Sequence, residues 1–476
     1  MTSHVPPEPR ADLPRTLGAL RAAGHEYRTV KDELRDNLVA ALRSGTDPFP
    51  GVVGIEETVR PQLERALLAG HDLVLLGERG QGKTRLLRTI VGLLDEWTPV
   101  IEGSELHEHP YEPVSVWGRR QVAEHGDATP VGWLHRSERY GEKLATPDTS
   151  VGDLIGDVDP VKVAEGRTLG DPETVHYGLV PRTNRGIFAI NELPDLAERI
   201  QVSLLNVLEE RDIQVRGYAL RLPLDLMLVA SANPEDYTNR GRIITPLKDR
   251  FGSQIRTHYP LDVATEVEII EQEAQPFVAD GMTVQVPDYM AEIVATFSHL
   301  ARQSSHISQR SGVSVRLSVS NLESIVANAA RRALRSGEHY VVPRICDLEA
   351  LPASTSGKVE IETLEEGRDG RIIDQLVSAA VLTVFRDRVA PEHLLNVVEA
   401  FDGRDPVEIG EDVEAAAYVR LCESIPALGR AASSVSTYEN AEHIASAVEF
   451  VLEGLHLSKR LNKDAVGGRA QYRSRG

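Results

Sequence analysis

The segment LVLLGERGQGKTRLLRTI, residues 73–90, constrains the fold of this chain more than any other segment. It places a GxxxxGK[ST] motif between an apolar run of strand character and an amphipathic helix, the context that a phosphate-binding loop requires. Its glycines let the backbone wrap phosphates with inward N–H groups, and the helix N-terminus adds positive potential. The motif consists of Gly77, Glu78, Arg79, Gly80, Gln81, Gly82, Lys83 and Thr84. We therefore predict that the loop binds a nucleotide, with Lys83 at its β- and γ-phosphates and the Thr84 hydroxyl on Mg²⁺.

Three apolar runs, DLVLLG, GIFAIN and LMLVASAN, each lead into a turn or a helix start. They lack polar alternation and are separated by amphipathic helices, so they indicate an α/β core with a parallel sheet covered on both faces. We predict this core over residues 48–260, after a disordered tail and N-terminal helical arm over 1–47. The pattern beyond the core predicts a helical lid over 261–350, then a linker, a C-terminal helical region and a flexible basic tail over 351–476.

Two segments of the core have the character of insertions. The chain between Trp97 and Arg185 is rich in Gly, Pro, His and charge, which indicates an insertion or an extended set of loops. RDIQVRGYALRLPL predicts a β-hairpin with Arg216 and Gly217 at its turn. The first segment includes the histidines His107, His109, His125 and His135. They lack cysteine partners and a helical HxxxH spacing, so we expect solvated loop histidines rather than metal ligands.

The strand in RGIFAINELPDL ends in Asn191-Glu192, where such a strand beside a phosphate loop usually ends in Asp-Glu. The aspartate of that pair holds Mg²⁺ and the glutamate orients the attacking water. Asn191 keeps one carbonyl acceptor for the metal but loses the charge, so a weaker hold on Mg²⁺ is expected. Restoring aspartate by Asn191→Asp is then expected to raise turnover or lower the Mg²⁺ requirement. Glu192 can polarise water. Alternatively, it only caps the helix start that contains Pro194.

Composition narrows the class of protein. With 476 residues, 41% of them hydrophobic and 26% charged, the chain is typical of a soluble globular protein of several domains. No run approaches the roughly 18–20 apolar residues of a membrane span, and the N-terminus has no apolar signal region. Cys346 and Cys422 form no CxxC pair, which favours a reducing, cytoplasmic location. The formal net charge of −20 disfavours a nucleic-acid partner.

The chain resembles the AAA+ ATPases, specifically the magnesium chelatase I subunit and its MoxR-like relatives. The resemblance covers about residues 48–260 and extends more loosely into the following helices. It rests on the order and spacing of several stretches: FPGVVGIEE, GERGQGKT, TSVGDLIGDVD, GLVPRTNRGIFAINEL, VASANPED and PLKDRFG. The resemblance implies an AAA+ P-loop αβα core with β-hairpin insertions and a helical lid. The chain departs from the family in Asn191 and in its long C-terminal region.

The resemblance also implies site residues. Asn233 would be sensor 1 at the γ-phosphate or the water, and Arg250 an arginine finger offered to the neighbouring subunit's nucleotide. Arg316 would be sensor 2 on the lid. A finger acting between subunits implies a head-to-tail ring, expected to be a hexamer.

Each of these roles has an alternative. Asn233 could simply start the turn NPED, and Arg250 could pair only with a surface acid such as Asp249. Arg310 competes with Arg316 for sensor 2. Arg240 and Arg242 are also expected near the subunit interface and could contribute to the role of the arginine finger.

Four functions fit these features to different degrees. The first is an ATP-hydrolysing AAA+ ring motor that remodels a partner complex for metal insertion or enzyme maturation, with ATP and Mg²⁺ and a von Willebrand A domain partner. The second is the motor subunit of a magnesium protoporphyrin chelatase. The third, supported only by Asn191, is a nucleotide-gated scaffold with little turnover. A DNA remodeller, such as a helicase or transcriptional activator, is disfavoured by the acidic charge and the lack of a GAFTGA-type loop.

Overall fold

The computed structural model divides the chain into two compact units, Met1–His258 and Tyr259–Gly476. The residues it describes are 6–158, 161, 164, 174–209, 213–215, 218–220, 222–233, 242–277, 279–308, 312–361, 369–436, 440–466 and 469–475. The division lies two residues before the predicted end of the α/β core.

A five-stranded parallel sheet forms the centre of the first unit. The strands of this unit are β1 Leu73–Leu76, β2 Trp97–Ile101, β3 Val131–His135, β4 Tyr140–Leu144, β5 Gly156–Val158, β6 Val175–Tyr177, β7 Gly186–Asn191, β8 Ile213–Val215, β9 Tyr218–Leu220, β10 Leu226–Ala232 and β11 Ser253–Arg256. The sheet order is β11-β1-β10-β7-β4, so the strand before the phosphate loop lies between two later strands. Parallel neighbours of this kind need crossover connections, which the helices provide.

Helices cover both faces of the sheet, as the apolar runs predict. Those of the first unit are α1 Leu17–Ala22, α2 Val30–Ser44, α3 Arg60–Leu68, α4 Lys83–Thr89, α5 Val116–His125, α6 Val151–Leu154, α7 Leu179–Arg182, α8 Glu198–Glu209 and α9 Thr245–Arg250. One face of β7 packs with α2, α3 and α4 through Ile187 and Ala189. The other face packs with α8 and α9 through Phe188 and Ile190. β7 and β10 are buried along their whole length. The predicted α/β core, with a parallel sheet covered on both faces, is confirmed.

Helix α2 belongs to this core, although the sequence predicts an arm outside it. The Thr29 hydroxyl accepts the N–H of Asp32 at the helix start, and Gly45 ends the helix in a left-handed conformation. Between them, buried apolar side chains of α2 join one face of the sheet. The predicted boundary at residue 47 therefore cuts through a packed layer, because an amphipathic helix must bury its apolar stripe.

The region predicted as an insertion supplies the sheet's edge strand. β4 pairs with β7 in parallel, with Leu144 opposite Asn191. Its side chains are only partly buried, and a short polar sequence such as YGEKL carries no strand signal of its own. Around it lie the antiparallel pairs β2–β3 and β5–β6. The predicted second hairpin is present as β8 and β9, and its turn, Arg216 and Gly217, lies outside the described residues.

The second unit is mainly helical. Its helices are α10 Val263–Glu273, α11 Asp288–Gln303, α12 Val315–Ser336, α13 Leu351–Thr355, α14 Asp369–Arg388, α15 Pro391–Glu399, α16 Ala415–Ser424, α17 Pro426–Val435 and α18 Ala441–Leu457. Its strands are β12 Thr283–Val284, β13 Tyr340–Val341, β14 Val407–Ile409, β15 Leu461–Val466 and β16 Arg469–Ser474. A single apolar core extends from Ile270 to Tyr472, so the predicted lid and C-terminal region are one packed body without a division at residue 350.

The segment predicted as a flexible basic tail is instead an ordered strand. β16 pairs antiparallel with both β14 and β15. Tyr472 is fully buried there and its hydroxyl donates to Glu453. The basic composition of GGRAQYRSRG does not prevent folding, because one buried aromatic ring contributes more to the stability of the strand than exposed charges take away. Among the described residues, no helix has both the length and the apolar character needed to cross a bilayer.

Candidate functional site

The phosphate loop connects β1 to α4 in a conformation that its glycines allow. Gly80 and Gly82 have φ values of 76° and 73°, which glycine adopts without the penalty of a side chain. Helix α4 begins at Lys83, directly after Gly82. The Gln81 side-chain oxygen accepts the N–H of Glu78 at 3.1 Å and the Thr257 hydroxyl at 2.8 Å. The motif residues therefore form the connection from β1 into α4, and Arg79 within it is exposed.

Lys83 lies inside this loop with only 7% of its surface exposed. Its ammonium group donates to the carbonyl oxygens of Gly77 and Glu78, the second at 2.8 Å. A third bond, of 2.7 Å, goes to Oδ1 of Asn233, the residue after β10. An almost buried ammonium group needs such acceptors, and phosphate oxygens are acceptors of the same kind with a full charge.

Asn233 also contacts Glu192, and so connects the lysine of the loop to the carboxylate after β7. Its Nδ2 donates to Glu192 Oε2 at 2.8 Å. Glu192 adopts a left-handed backbone conformation, with φ of 57°, which is uncommon and costly for a residue with a side chain. Its side chain makes no capping bond to the 3₁₀ turn Leu193–Asp195 that follows. The interpretation of Glu192 as only a helix cap therefore fails, and its carboxylate accepts Asn233 Nδ2 instead.

Asn191 faces Thr84 across the same site. Its Oδ1 accepts the Ser231 hydroxyl at 3.2 Å and lies 3.5 Å from the Thr84 hydroxyl, at the limit of a hydrogen bond. Oxygen donors of this type suit Mg²⁺, which usually keeps several of its waters and takes few protein ligands. A hydroxyl and an amide oxygen on one side of the loop therefore fit that ion. Among the described residues, no group of three or more His, Cys, Asp and Glu side chains is arranged to hold a metal.

The sequence did not predict two neighbours of Asn191. Glu142 on β4 accepts the Asn191 amide N–H at 2.6 Å. Arg88 on α4 donates to both oxygens of Glu142, at 2.9 and 3.0 Å. No motif marks either residue. The only signal in the sequence was that Arg88 follows Thr84 by four residues and therefore lies on the same face of the helix.

Three of the predicted arginines, Arg242, Arg250 and Arg316, are among the described residues. Arg250 is the last residue of α9, has a side chain one-third exposed and contacts Asp249 at 3.3 Å. Arg242 is exposed and lies 3.9 Å from Glu198. Arg316 is exposed in the first turn of α12, in the second unit. Arg240 and Arg310 lie outside the described residues. The roles of these arginines stay predictions.

The histidines predicted to be solvated differ among themselves. His125 is exposed, whereas His109 is only 1% exposed and its Nε2 lies 3.1 Å from Nε2 of His25. Desolvation by burial, together with the charge of Arg185, lowers the pKa of His109 to about 3. The expectation of solvated loop histidines is therefore wrong for His109, because aromatic side chains enclose it. These include Tyr27, which contacts its ring edge-to-face.

A family model of the sigma-54 interaction domain matches residues 167–250, less than a fifth of the chain. The match includes β7 with Asn191 and Glu192, β10 with Asn233, and Arg250.

Longer similarity is found to magnesium chelatase subunits. The chain is 30% identical to the 38 kDa subunit from Cereibacter sphaeroides over 47% of this chain and 62% of that protein. It is 31% identical to the 38 kDa subunit from Rhodobacter capsulatus, over 51% and 65% respectively. Identity to the ChlI subunit from Nostoc is 27%, over 50% and 61%. The chain thus spans less than two thirds of the length of these relatives.

Solved structures with a similar chain include a cryo-EM-based complex of the magnesium chelatase subunits BchI and BchD. The match has 20% identity and a TM-score of 0.35, and covers 69% of this chain and 98% of that chain. NtrX from Brucella abortus matches at 16% identity with a TM-score of 0.40, over 74% and 67%. The sequence relatives and the matching AAA-type domain confirm that the chain resembles AAA+ ATPases of the magnesium chelatase I type.

Proposed function

We propose that this chain is the ATP-hydrolysing motor of a ring-shaped AAA+ assembly of the magnesium chelatase type. The observation that carries the proposal is the connected path from Lys83 through Asn233 to Glu192. It connects the ammonium group that would bind the phosphates with the carboxylate that would bind the attacking water. The three residues come from separate segments of the chain. A glycine-rich turn without a function would not be expected to contact Asn233 and, through it, Glu192.

The residues divide the chemistry of phosphoryl transfer among themselves. Lys83 binds the β- and γ-phosphates, where it exchanges protein carbonyl acceptors for phosphate oxygens. Glu192 accepts a hydrogen bond from the attacking water, and Asn233 fixes the carboxylate that does so. Thr84 and Asn191 would hold Mg²⁺, which when bound neutralises charge on the phosphate oxygens.

Assembly into a ring, expected to be a hexamer, would complete the site. Arg250 would then approach the nucleotide of the next subunit, because a cation at the transferred phosphoryl group accelerates such reactions by about 10³–10⁵. Its place at the end of a helix, with a partly exposed side chain, is compatible with that role. Arg316 would report the nucleotide state as sensor 2.

The work done by the ring would be the remodelling of a partner complex, for metal insertion or enzyme maturation. A partner with a von Willebrand A domain and a cytoplasmic location belong to the same proposal, as does the likeness to MoxR-type ATPases. Since the relatives are named as subunits of magnesium chelatase, insertion of Mg²⁺ into protoporphyrin is the second candidate. Pull-down with the ATP-bound Glu192→Gln variant would identify the partner.

The first test measures phosphate release from ATP with Mg²⁺. Wild type is expected to turn over, Lys83→Ala to lose nucleotide binding, and Glu192→Gln to bind ATP without hydrolysing it. Glu96→Gln, which alters an exposed carboxylate of the same unit, is the control. Wild-type release no higher than that of assembled Lys83→Ala would contradict the motor and leave the scaffold.

A second test asks whether Arg250 acts between subunits. Arg250→Ala and Glu192→Gln are each expected to be inactive, whereas their mixture should recover turnover, because some sites then combine an intact glutamate with a neighbour's arginine. A mixture of Lys83→Ala with Glu192→Gln is the control, since both residues serve their own subunit's site. Equal activity of the two mixtures would contradict the finger.

A further inference from the structure

Three side-chain contacts connect Thr84, Asn191, Glu142 and Arg88 next to the predicted metal position. Asn191 lies 3.5 Å from Thr84 through Oδ1 and donates to Glu142 through Nδ2 at 2.6 Å. Glu142 accepts both donors of the Arg88 guanidinium. Arg88 and Thr84 lie four residues apart on α4, so both belong to one face of that helix. The helix that carries the phosphate-binding residues thus also holds the carboxylate behind Asn191.

The orientation of the Asn191 amide follows from these partners. An ionised carboxylate only accepts hydrogen bonds, so Glu142 can face Nδ2 of the amide and not Oδ1. The amide oxygen must then face Ser231 and Thr84. Asn191 is only 8% exposed, so water has little access to compensate for the opposite orientation.

We propose that Glu142, held by Arg88, is a positioning residue that keeps the oxygen of Asn191 directed at the Thr84 side of the site. Asparagine at position 191 is therefore matched to its neighbour and is not a degraded aspartate. An aspartate there would place its carboxylate against that of Glu142, and like charges at such a distance repel. The negative charge that the strand end lacks is present one strand away, on β4.

This inference rests on the proposed function in one respect, namely that the site binds a nucleotide with Mg²⁺. It also changes the meaning of Asn191→Asp. From the sequence, that substitution simply restores a ligand. In the structure it introduces a second carboxylate, so its effect depends on what residue 142 is.

The first experiment measures how much Mg²⁺ is needed for half-maximal binding of a fluorescent, non-hydrolysable ATP analogue. Glu142→Ala removes the acceptor and uncovers Arg88, a donor that attracts Oδ1 instead. The Mg²⁺ requirement is expected to rise about three- to tenfold, while binding without Mg²⁺ stays unchanged. Glu142→Gln should raise the Mg²⁺ requirement less than Glu142→Ala, because its amide oxygen can still accept Asn191 Nδ2, although its NH2 group cannot accept the second Arg88 N–H. Glu96→Ala is the control for loss of an arginine-paired, exposed carboxylate.

A purely structural role would lower stability in Glu142→Ala without changing the Mg²⁺ requirement. A rise no greater than that of Glu96→Ala therefore overturns the proposal, and so does an equal rise in Glu142→Gln. If wild type itself shows no effect of Mg²⁺ on nucleotide binding, the proposed function fails.

The second experiment needs neither nucleotide nor metal, and so separates the two failures. Asn191→Asp is expected to raise the unfolding equilibrium constant of the first unit about tenfold. Adding Glu142→Gln should lower this equilibrium constant again by at least about threefold, because the glutamine amide can donate to the carboxylate introduced at position 191. Additive effects of the two substitutions would mean that residues 142 and 191 are not coupled. This result would overturn the proposed pairing of Asn191 with Glu142, independently of the outcome of the nucleotide-binding experiment.

Discussion

The ion pair between Arg139 and Glu33 provides the sharpest test of where the α/β core begins. The two guanidinium nitrogens meet the two carboxylate oxygens at 2.7 Å each, and the side chains are 0% and 3% exposed. Glu33 lies on α2, within the segment that the sequence assigns to an arm outside the core. If α2 belongs to the core, breaking this pair must destabilise the whole first unit.

The magnitude follows from what each substitution leaves behind. Arg139→Met strands a buried carboxylate, which typically costs about 3–5 kcal/mol. It also removes the bond from Arg139 Nε to the carbonyl of Arg185, 2.6 Å long. In the double variant with Glu33→Leu no charge is stranded. Two groups then remain unpaired, the N–H of Asp95, which Glu33 accepts, and the carbonyl of Arg185, at about 1–3 kcal/mol each, and Arg139→Met alone shares the second loss. The double variant should therefore be more stable than Arg139→Met alone.

Tryptophan fluorescence can follow this unit separately. The chain contains three tryptophans, and all of them, Trp97, Trp117 and Trp133, lie before the division at residue 258. Urea denaturation monitored by their emission reports the free energy of unfolding of the first unit. Arg21→Met is the matched control, because it breaks an exposed pair with Asp127 and should cost no more than about 1 kcal/mol.

The reasoning is refuted if Arg139→Met costs no more than Arg21→Met. That result would place the ion pair in contact with water and α2 outside the core. A double variant as unstable as the sum of its single variants would also contradict the argument, since it would mean that the two side chains do not interact.

Two further predictions concern His109 and Tyr472. Folding lowers the pKa of His109 from 6.5 to about 3, so only the unfolded state takes up its proton between these values. Stability is then lost as pH falls below about 6.5, by at most about 1.4 kcal/mol per pH unit. His109→Asn should flatten this slope in urea titrations at pH 6.5 and 5, and an unchanged slope would mean that the ring is accessible to water. In the second unit, Tyr472→Ala should cost about 3–5 kcal/mol through the cavity it creates, measured by thermal unfolding with circular dichroism. Tyr472→Phe loses only the hydroxyl bond to Glu453 and should cost clearly less. A negligible loss of stability in Tyr472→Ala would instead support the flexible tail that the sequence predicts.

The phosphate loop and its strands could be predicted because their signals are local. A glycine pattern, a strand without alternation and an Asn-Glu pair are each read from a few consecutive residues. The structure adds the contacts among them, such as Asn233 with Lys83 and Glu192. It also rejects the capping interpretation of Glu192, since a positive φ cannot be read from the identity of a non-glycine residue.

The sequence by itself determined the class of fold, the phosphate loop and the positions of the buried strands. Only the tertiary structure decided which strand borders β7, and with it the environment of Asn191. β4 is a short edge strand of polar side chains, and Glu142 precedes its partner Asn191 by 49 positions. Parallel strands are joined by long crossover connections, so no local pattern specifies that neighbour. The same holds for Glu33 and Arg139. Their charged side chains would be assigned to the surface from the sequence, whereas the fold buries them as a pair.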